Sequence, residues 1–171
     1  EDLMAVFPAD HYITDPSAFD RVLKQAFAVA GQTGSLVTLG ITPTSAHTGY
    51  GYIEAGAGAA GGWYRVSRFV EKPDRARAEH FLTSGKFFWN AGIFVFKVSV
   101  MIELFKKYQP QIWAGVSFLK EDLSNIADVY KNLPSISIDY AIIERMEGDE
   151  LLCVPCDPGW SDVGSWDAVA E

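Results

Sequence analysis

Leu3-Met4-Ala5-Val6-Phe7, then Asp15-Pro16-Ser17-Ala18-Phe19, then Ser35-Leu36-Val37-Thr38-Leu39-Gly40-Ile41: these three runs decide the fold class. The first and third are short apolar runs rich in β-forming residues and read as buried strands. Between them, Asp15 has the chemistry of a helix N-cap and Pro16 that of a first helical residue. Phe19, Val22, Leu23, Ala26, Phe27 and Ala30 then recur at helical spacing, making one apolar stripe that Gly31 is expected to close. Strand, helix, strand implies a right-handed parallel crossover.

The pattern continues outward from that unit. Tyr50 to Ala55 and Trp63 to Glu71 read as extended, joined by the Gly/Ala-rich linker Gly56 to Gly62. Asp74 to Ser84 reads as a helix, Phe87 to Lys97 as a strand, and Ser99 to Tyr108 as a helix ending before Pro110. Gln111 to Leu133 holds one or two more helices, and Asp139 is expected to cap a short helix through Met146. Glu150 to Val154 is the last clear strand, and a helix is expected to start at Ser165. Apolar strands alternating with helices predict a three-layer α/β/α sandwich with a mostly parallel sheet, in a single domain over residues 1–171.

Composition narrows the function classes. Apolar residues make up 49% and charged residues 21% of the chain, ordinary proportions for a globular protein with a core. No apolar run reaches the roughly 20 residues of a membrane span. The net charge of −8 argues against a broad nucleic-acid surface, and it means that anionic substrates would need a metal or a local basic cluster. Arg65, Arg68, Lys72, Arg75 and Arg77 form such a cluster in sequence, although a solvated face explains all but Lys72 equally well. Cys153 and Cys156 have C-x-x-C spacing, but no second Cys/His pair completes a zinc site, and their setting reads as a strand rather than a helix start. Two plain thiols in a reducing cytoplasm are the expectation.

Candidate chemistry begins at Phe69-Val70-Glu71-Lys72-Pro73. Pro73 cannot extend a ladder and biases Lys72 toward an extended backbone, so an acid and a base are held at a strand end. Strand ends are where open α/β sheets bind ligands. His11 and His47 lack an evident charge partner and are expected in surface or turn roles.

The motifs recur in a definite order: Pro8-Ala9-Asp10-His11, Thr48-Gly49-Tyr50-Gly51-Tyr52-Ile53, Phe69-Val70-Glu71-Lys72-Pro73, Trp89-Asn90-Ala91-Gly92-Ile93-Phe94, Ser137-Ile138-Asp139-Tyr140-Ala141 and Gly159-Trp160-Ser161-Asp162-Val163-Gly164-Ser165-Trp166. This series resembles the mannose-1-phosphate guanylyltransferases, from Phe7 to Trp166. The resemblance implies a Rossmann-like nucleotide-diphospho-sugar transferase fold that makes GDP-mannose and pyrophosphate from GTP and mannose-1-phosphate. It places Gly49, Tyr50, Gly51, Glu71, Lys72, Asn90 and Gly92 around the sugar phosphate and makes Asp10 and Asp162 the carboxylates of a Mg²⁺ site. Lys72 would neutralise the attacking oxyanion, with Lys72, Asp10 and Asp162 as the catalytic group. Mg²⁺ suits phosphoryl transfer because it accepts a few carboxylates plus phosphate oxygens.

The family's glycine-rich phosphate loop, of the form GGxGxRLWPLS, does not occur in these residues, and the resemblance puts it upstream of the first strand. The chain opens at Glu1 and reads as an internal segment of a longer protein: the sugar-phosphate half of the site, with the N-terminal loop segment missing. Small-molecule substrates without nucleic acid or membrane fit this reading, and so does a homo-oligomer. Two rivals stand beside it. One is a catalytically inactive sugar-phosphate-binding or structural segment. The other is a nucleotidyltransferase for a different hexose-1-phosphate and nucleoside triphosphate.

Overall fold

A computed structural model describes residues 2–164 of the chain; the helix expected from Ser165 lies outside them. The elements run β1 (Leu3–Val6), β2 (Tyr12–Ile13), α1 (Pro16–Thr33), β3 (Leu36–Ile41), β4 (Tyr52–Gly58), β5 (Tyr64–Val70), α2 (Arg75–Ser84), β6 (Phe87–Lys97), α3 (Val98–Tyr108), α4 (Pro110–Val116), α5 (Ile126–Tyr130), α6 (Ile138–Ala141), a 3₁₀ turn (Ile143–Arg145), β7 (Leu151–Cys156) and β8 (Trp160–Ser161). Asp15 caps α1 by accepting the Ala18 N–H at 2.9 Å, an interaction worth about 0.5–2 kcal/mol. The helix runs through Gly31 and ends at Gly34, which takes the left-handed C-cap conformation. Asp74 caps α2 in the same manner, through the Arg77 N–H.

Six strands form the main sheet, in the order β1-β6-β3-β7-β5-β4. The sheet is mixed rather than mostly parallel. Among the described residues only β3 and β7 pair in parallel; β1–β6, β3–β6, β4–β5, β4–β6 and β5–β7 are antiparallel. Apolar runs report burial, which central antiparallel strands share with parallel ones, so composition could not give direction. β1 and β3 do point the same way, as the crossover requires, but β6 enters between them from the opposite direction.

The three layers are as expected. Alternation along β3 sends Val37, Leu39 and Ile41 to one face, with α1 residues Val22, Ala26, Val29 and Ala30 and α2 residues Ala78 and Phe81. Leu36, Phe94, Phe96, Leu151 and Cys153 face the other side, with Met101 and Leu104 of α3 and Ala141, Ile142 and Ile143. All six residues of β3 are buried. Full burial of each such aliphatic side chain contributes roughly 1.5–3 kcal/mol. Cys153 and Cys156 are free thiols on β7; burial pushes both upward, Cys156 to about 12, which suppresses the reactive thiolate.

The arginines of the basic run disperse over the surface. Arg65 pairs with Asp149 (2.8 Å), Arg68 with Glu54 (3.1 Å) and Arg75 with Glu79 (2.7 Å), while Arg77 lies over the Phe81 ring. No helix among the described residues is long and apolar enough to cross a membrane.

Candidate functional site

β6 is long enough to pair with two strands along one edge. Its C-terminal half takes β1, with Val6 opposite Phe94, and its N-terminal half takes β4, with Tyr52 opposite Trp89. Between them lies a notch. On the opposite edge of β6, the register with β3 jumps from Thr38↔Phe94 to Gly40↔Asn90, so Ala91, Gly92 and Ile93 oppose Leu39 alone. Gly92 turns this bulge with φ of 68°, a conformation that glycine accepts without a Cβ penalty. A cleft of about 190 Å³ opens here, near the carboxyl ends of β1, β3 and β7.

The cleft gathers Gly49, Tyr50, Gly51, Glu71, Asn90, Gly92 and Asp162 from four separate motifs. It also gathers Pro8, His11, Asp139 and Trp160. Gly51 is small for a reason inside the protein: a Cβ there would lie 2.6 Å from Glu71 Oε2 and 2.9 Å from the Phe69 ring. The absent side chain makes room for Glu71, which is nearly buried, with a side chain 9% exposed. Gly49 donates its N–H to His47 Nδ1 at 3.2 Å.

One wall is aromatic and acidic. β2 and β8 form a two-stranded ribbon, with Tyr12 opposite Ser161, which carries Asp10-His11 alongside Asp162. Trp160 Nε1–H donates to His11 Nδ1 at 3.0 Å, which fixes that nitrogen as an unprotonated acceptor. Burial holds the imidazole below its ordinary pKa, against the upward pull of Asp10 and Asp162. The Tyr50 hydroxyl donates to Asp162 Oδ1 at 2.9 Å, and the Gly164 N–H reaches the same oxygen at 3.1 Å. Between Asp162 and Gly164, Val163 has φ of 51°, unusual for a β-branched side chain. His47 stacks on the Tyr50 ring at 3.8 Å, and Trp89 and Trp160 each meet Tyr50 edge-on. Asp10 is exposed and stands outside the cleft lining, next in sequence to His11.

The other wall is charged. Lys72 stands outside the cleft lining, with its Nζ 3.0 Å from Glu71 Oε1 of the wall, and the hydrogen bond to Glu71 raises the Lys72 pKa, with smaller contributions from Tyr140 and Asp139. Lys72 is not extended as Pro73 would favour: its φ is 44°, in the left-handed region. The Glu71 N–H is held by Glu144 Oε1 at 2.9 Å, which anchors the end of β5 to the 3₁₀ turn. Asn90 Nδ2 donates to Asp139 Oδ1 at 3.3 Å, and the Thr38 hydroxyl sits 2.9 Å from Asn90 Oδ1. Asp139 does not cap α6; Ser137 does, accepting the Tyr140 N–H. Burial raises the Asp139 carboxyl above its ordinary pKa, and the Glu71 charge adds to this.

His11 and Asp139 are thus cleft residues that sequence reasoning left in surface or capping roles, and Trp160 is one to which it gave no role. Ser137-Ile138-Asp139 offers two candidate caps, and only the fold shows which is used. The His11–Trp160 bond spans nearly the whole chain and has no local signal. Among the described residues, no group of three or more His, Cys, Asp or Glu side chains is arranged to hold a metal ion.

Comparison with known proteins adds an independent line. The sequence pattern of the family described as "Nucleotidyl transferase" matches residues 1–171. Xanthan biosynthesis protein XanB of Xanthomonas campestris pv. campestris is 43% identical over 182 aligned residues, covering 100% of this chain and 37% of its own length. Mannose-1-phosphate guanylyltransferase of Escherichia coli K12 is 39% identical, again over 100% of this chain and 37% of its own. A crystal structure from Thermus thermophilus, titled mannose-1-phosphate geranyltransferase, superposes with a TM-score of 0.89 at 35% identity, covering 99% of this chain and 50% of that one. The chain therefore spans about 37% of the length of the curated relatives it matches.

Proposed function

The chain belongs to the nucleotidyl transferase family, and from that premise we propose that it is the sugar-phosphate-binding part of a mannose-1-phosphate guanylyltransferase domain. The reaction joins the phosphate of mannose-1-phosphate to the α-phosphate of GTP, forming GDP-mannose and releasing pyrophosphate. The observation that carries the reading is the convergence of four distant motifs on one cleft, with Lys72 held against Glu71 of its lining. The similarity to the E. coli mannose-1-phosphate guanylyltransferase supports the choice of mannose and guanine.

Such a transfer needs alignment and charge neutralisation more than covalent catalysis. Lys72 is the cation this reading assigns to the sugar phosphate, through its contact with Glu71. An ammonium has three donors, so its contact with Glu71 leaves capacity for a phosphate oxygen. Glu71 holds Lys72 in place and accepts sugar hydroxyls. The stacked Tyr50 ring closes the opposite side and orients Asp162 through its hydroxyl.

Asp10 and Asp162 would hold Mg²⁺, which would screen the phosphates from one another when bound. A donor set of two carboxylates without a full protein cage suits Mg²⁺, because this ion keeps waters and phosphate oxygens in its shell. His11, whose Nδ1 accepts from Trp160, follows Asp10 on the ribbon that brings Asp162 alongside.

Pyrophosphate release by the full-length protein tests the proposal, with GTP, UTP and dTTP each offered with mannose-1-phosphate and glucose-1-phosphate. The expected result is turnover that requires Mg²⁺ and is fastest with GTP and mannose-1-phosphate. A preference for another pair would keep the enzyme class and change its substrates. Absence of pyrophosphate with every pair would leave a binding or structural segment.

A further inference from the structure

Asp139 sits in the cleft without a structural duty on its own helix, since Ser137 caps α6. Its side-chain partner is the Asn90 amide, and that amide is locked at both ends. Asn90 Oδ1 accepts the Gly92 N–H at 3.2 Å and lies 2.9 Å from the Thr38 hydroxyl, while Nδ2 donates to Asp139 at 3.3 Å. A flipped amide would set its NH₂ against the Gly92 N–H and its oxygen against a carboxylate. The orientation is therefore forced by the Gly92 N–H and the Asp139 carboxylate, while the single Thr38 hydroxyl proton is shared between Asn90 Oδ1 and the Ile93 carbonyl at 3.2 Å. The charged acceptors on this wall are the carboxylates Glu71 and Asp139.

We propose that Asp139, beside Glu71, accepts a ring hydroxyl of the bound sugar phosphate and helps decide which hexose is taken, with Asn90 as a positioning residue that aims the Asp139 carboxylate through its locked amide. The proposal rests on the sugar-phosphate reading above and deepens it. The chemistry favours a polyol. Carboxylates are acceptors only, hydroxyls are donors, and two like charges on one wall repel until donors are supplied. Burial and the Glu71 charge both disfavour the ionised Asp139, and a hydroxyl donated to it relieves that penalty.

The test uses the full-length protein with mannose-1-phosphate and its monodeoxy analogues, one ring hydroxyl removed at a time. The readout is the ratio of kcat/KM for the parent sugar to that for each analogue. Loss of a hydroxyl bound to a charged acceptor costs the wild type roughly ten- to a hundredfold. In Asp139→Ala the penalty is expected to vanish at one ring position and persist at the others, with KM for GTP unchanged. Asp139→Asn preserves shape and still offers an acceptor to the Asn90 amide. It should fold like the wild type and show a reduced penalty at the same position. Penalties retained at every position in both variants would overturn the inference and leave Asp139 structural, whatever happens to kcat. A wild type that turns over no hexose-1-phosphate at all would refute the sugar-phosphate reading itself, a result distinct from retained penalties.

Discussion

Two hollows in this molecule are opposite in kind. The one beside α3 and α4 has a volume of about 690 Å³ and is walled by residues such as Met4, Phe96, Met101, Phe105, Trp113 and Leu133, with no acidic, basic or histidine side chain in its lining. The notch in β6 encloses about 190 Å³, yet Glu71, Asp139, Asp162 and His11 all reach it. The large hollow lies where β1, β6, α3, α4 and α5 and the irregular segment 133–136 leave space between their apolar side chains. The small one arises from departures in the backbone: the bulge at Gly92, the left-handed Lys72 and the left-handed Val163. Strain of that kind persists only where the surroundings over-determine it, and it concentrates at functional sites. Volume reports packing, while two of the three left-handed non-glycine residues described, Lys72 and Val163, adjoin the cleft-lining Glu71 and Asp162 in sequence and the third, Leu123, does not.

The sharpest way to break the comparison is to remove charge from the small cleft. Asp162→Asn and Asp10→Asn are each expected to lower kcat in the full-length protein by about a hundredfold or more, the scale of several kcal/mol of lost metal assistance. If both carboxylates hold one Mg²⁺, the double variant should lose little beyond either single one, because the first change already dismantles the site. Measuring kcat against Mg²⁺ concentration for all three decides it. Near-normal kcat with an unshifted metal dependence would make that aspartate structural; Asp10, exposed and outside the lining, faces the harder test.

Lys72→Ala comes next. Loss of one charge-assisted contact to phosphate should reduce kcat/KM for mannose-1-phosphate by roughly ten- to a hundredfold. Lys72→Gly separates charge from strain. It accepts φ of 44° more readily, so it should show the same kinetic loss with a higher Tm than Lys72→Ala. Equal kcat/KM in wild type and both variants, at subsaturating sugar phosphate, would remove Lys72 from the site.

Much of the framework was legible because its signals are local. Asp15 and Pro16 start α1 where capping chemistry says, and Phe87–Lys97 is a strand throughout. The layers followed from apolar periodicity. What failed was non-local. Gly31 looked like a helix stop, but the left-handed turn falls at Gly34, and a glycine inside a helix is merely weakening. Strand direction depends on which strand enters between which, and nothing in β6 itself records that it runs opposite to β1 and β3. Lys72 departs from the extended preference that Pro73 imposes, because the Glu144 carboxylate fixes the preceding N–H and Glu71 takes the ammonium. Seven residues named by motif line one cleft while Lys72 and Asp10 stand outside its lining, and the partner of His11 lies nearly the whole chain away and could be found only in three dimensions.

The large hollow should answer to stability alone. Trp113→Ala removes an aromatic wall that also carries Lys106 over its ring at 5.4 Å. Because Trp113 is only partly buried, a loss of about 1–2 kcal/mol is expected, less than for a fully buried aromatic. Thermal unfolding should show a lower Tm while kcat/KM for both substrates stays at the wild-type value. A kinetic defect in a variant that is fully folded at the assay temperature would join the two hollows functionally and dissolve the contrast.

The smallest expected effect is the most specific to the cleft. Asp139 has a carboxyl pKa raised above its ordinary value by burial and by Glu71, so the unfolded chain gives up this proton at a lower pH than the folded one. Above the folded pKa the native state carries a charge it disfavours, and stability is lower there; as pH falls through that pKa toward the ordinary carboxylate range, the penalty is relieved. Asp139→Asn removes the charge and keeps the shape. In the ligand-free protein it should therefore raise Tm at neutral pH, and its advantage over the wild type should shrink steadily on acidification. Thermal melts of the two proteins across that range give the difference directly. A variant that is less stable than the wild type at neutral pH, or a gap that widens toward acid, would mean that the Asn90–Asp139 bond stabilises the empty cleft more than the buried charge destabilises it. The carboxylate would then be part of the framework, like the side chains of the large hollow, and the line drawn between the two regions would have to move.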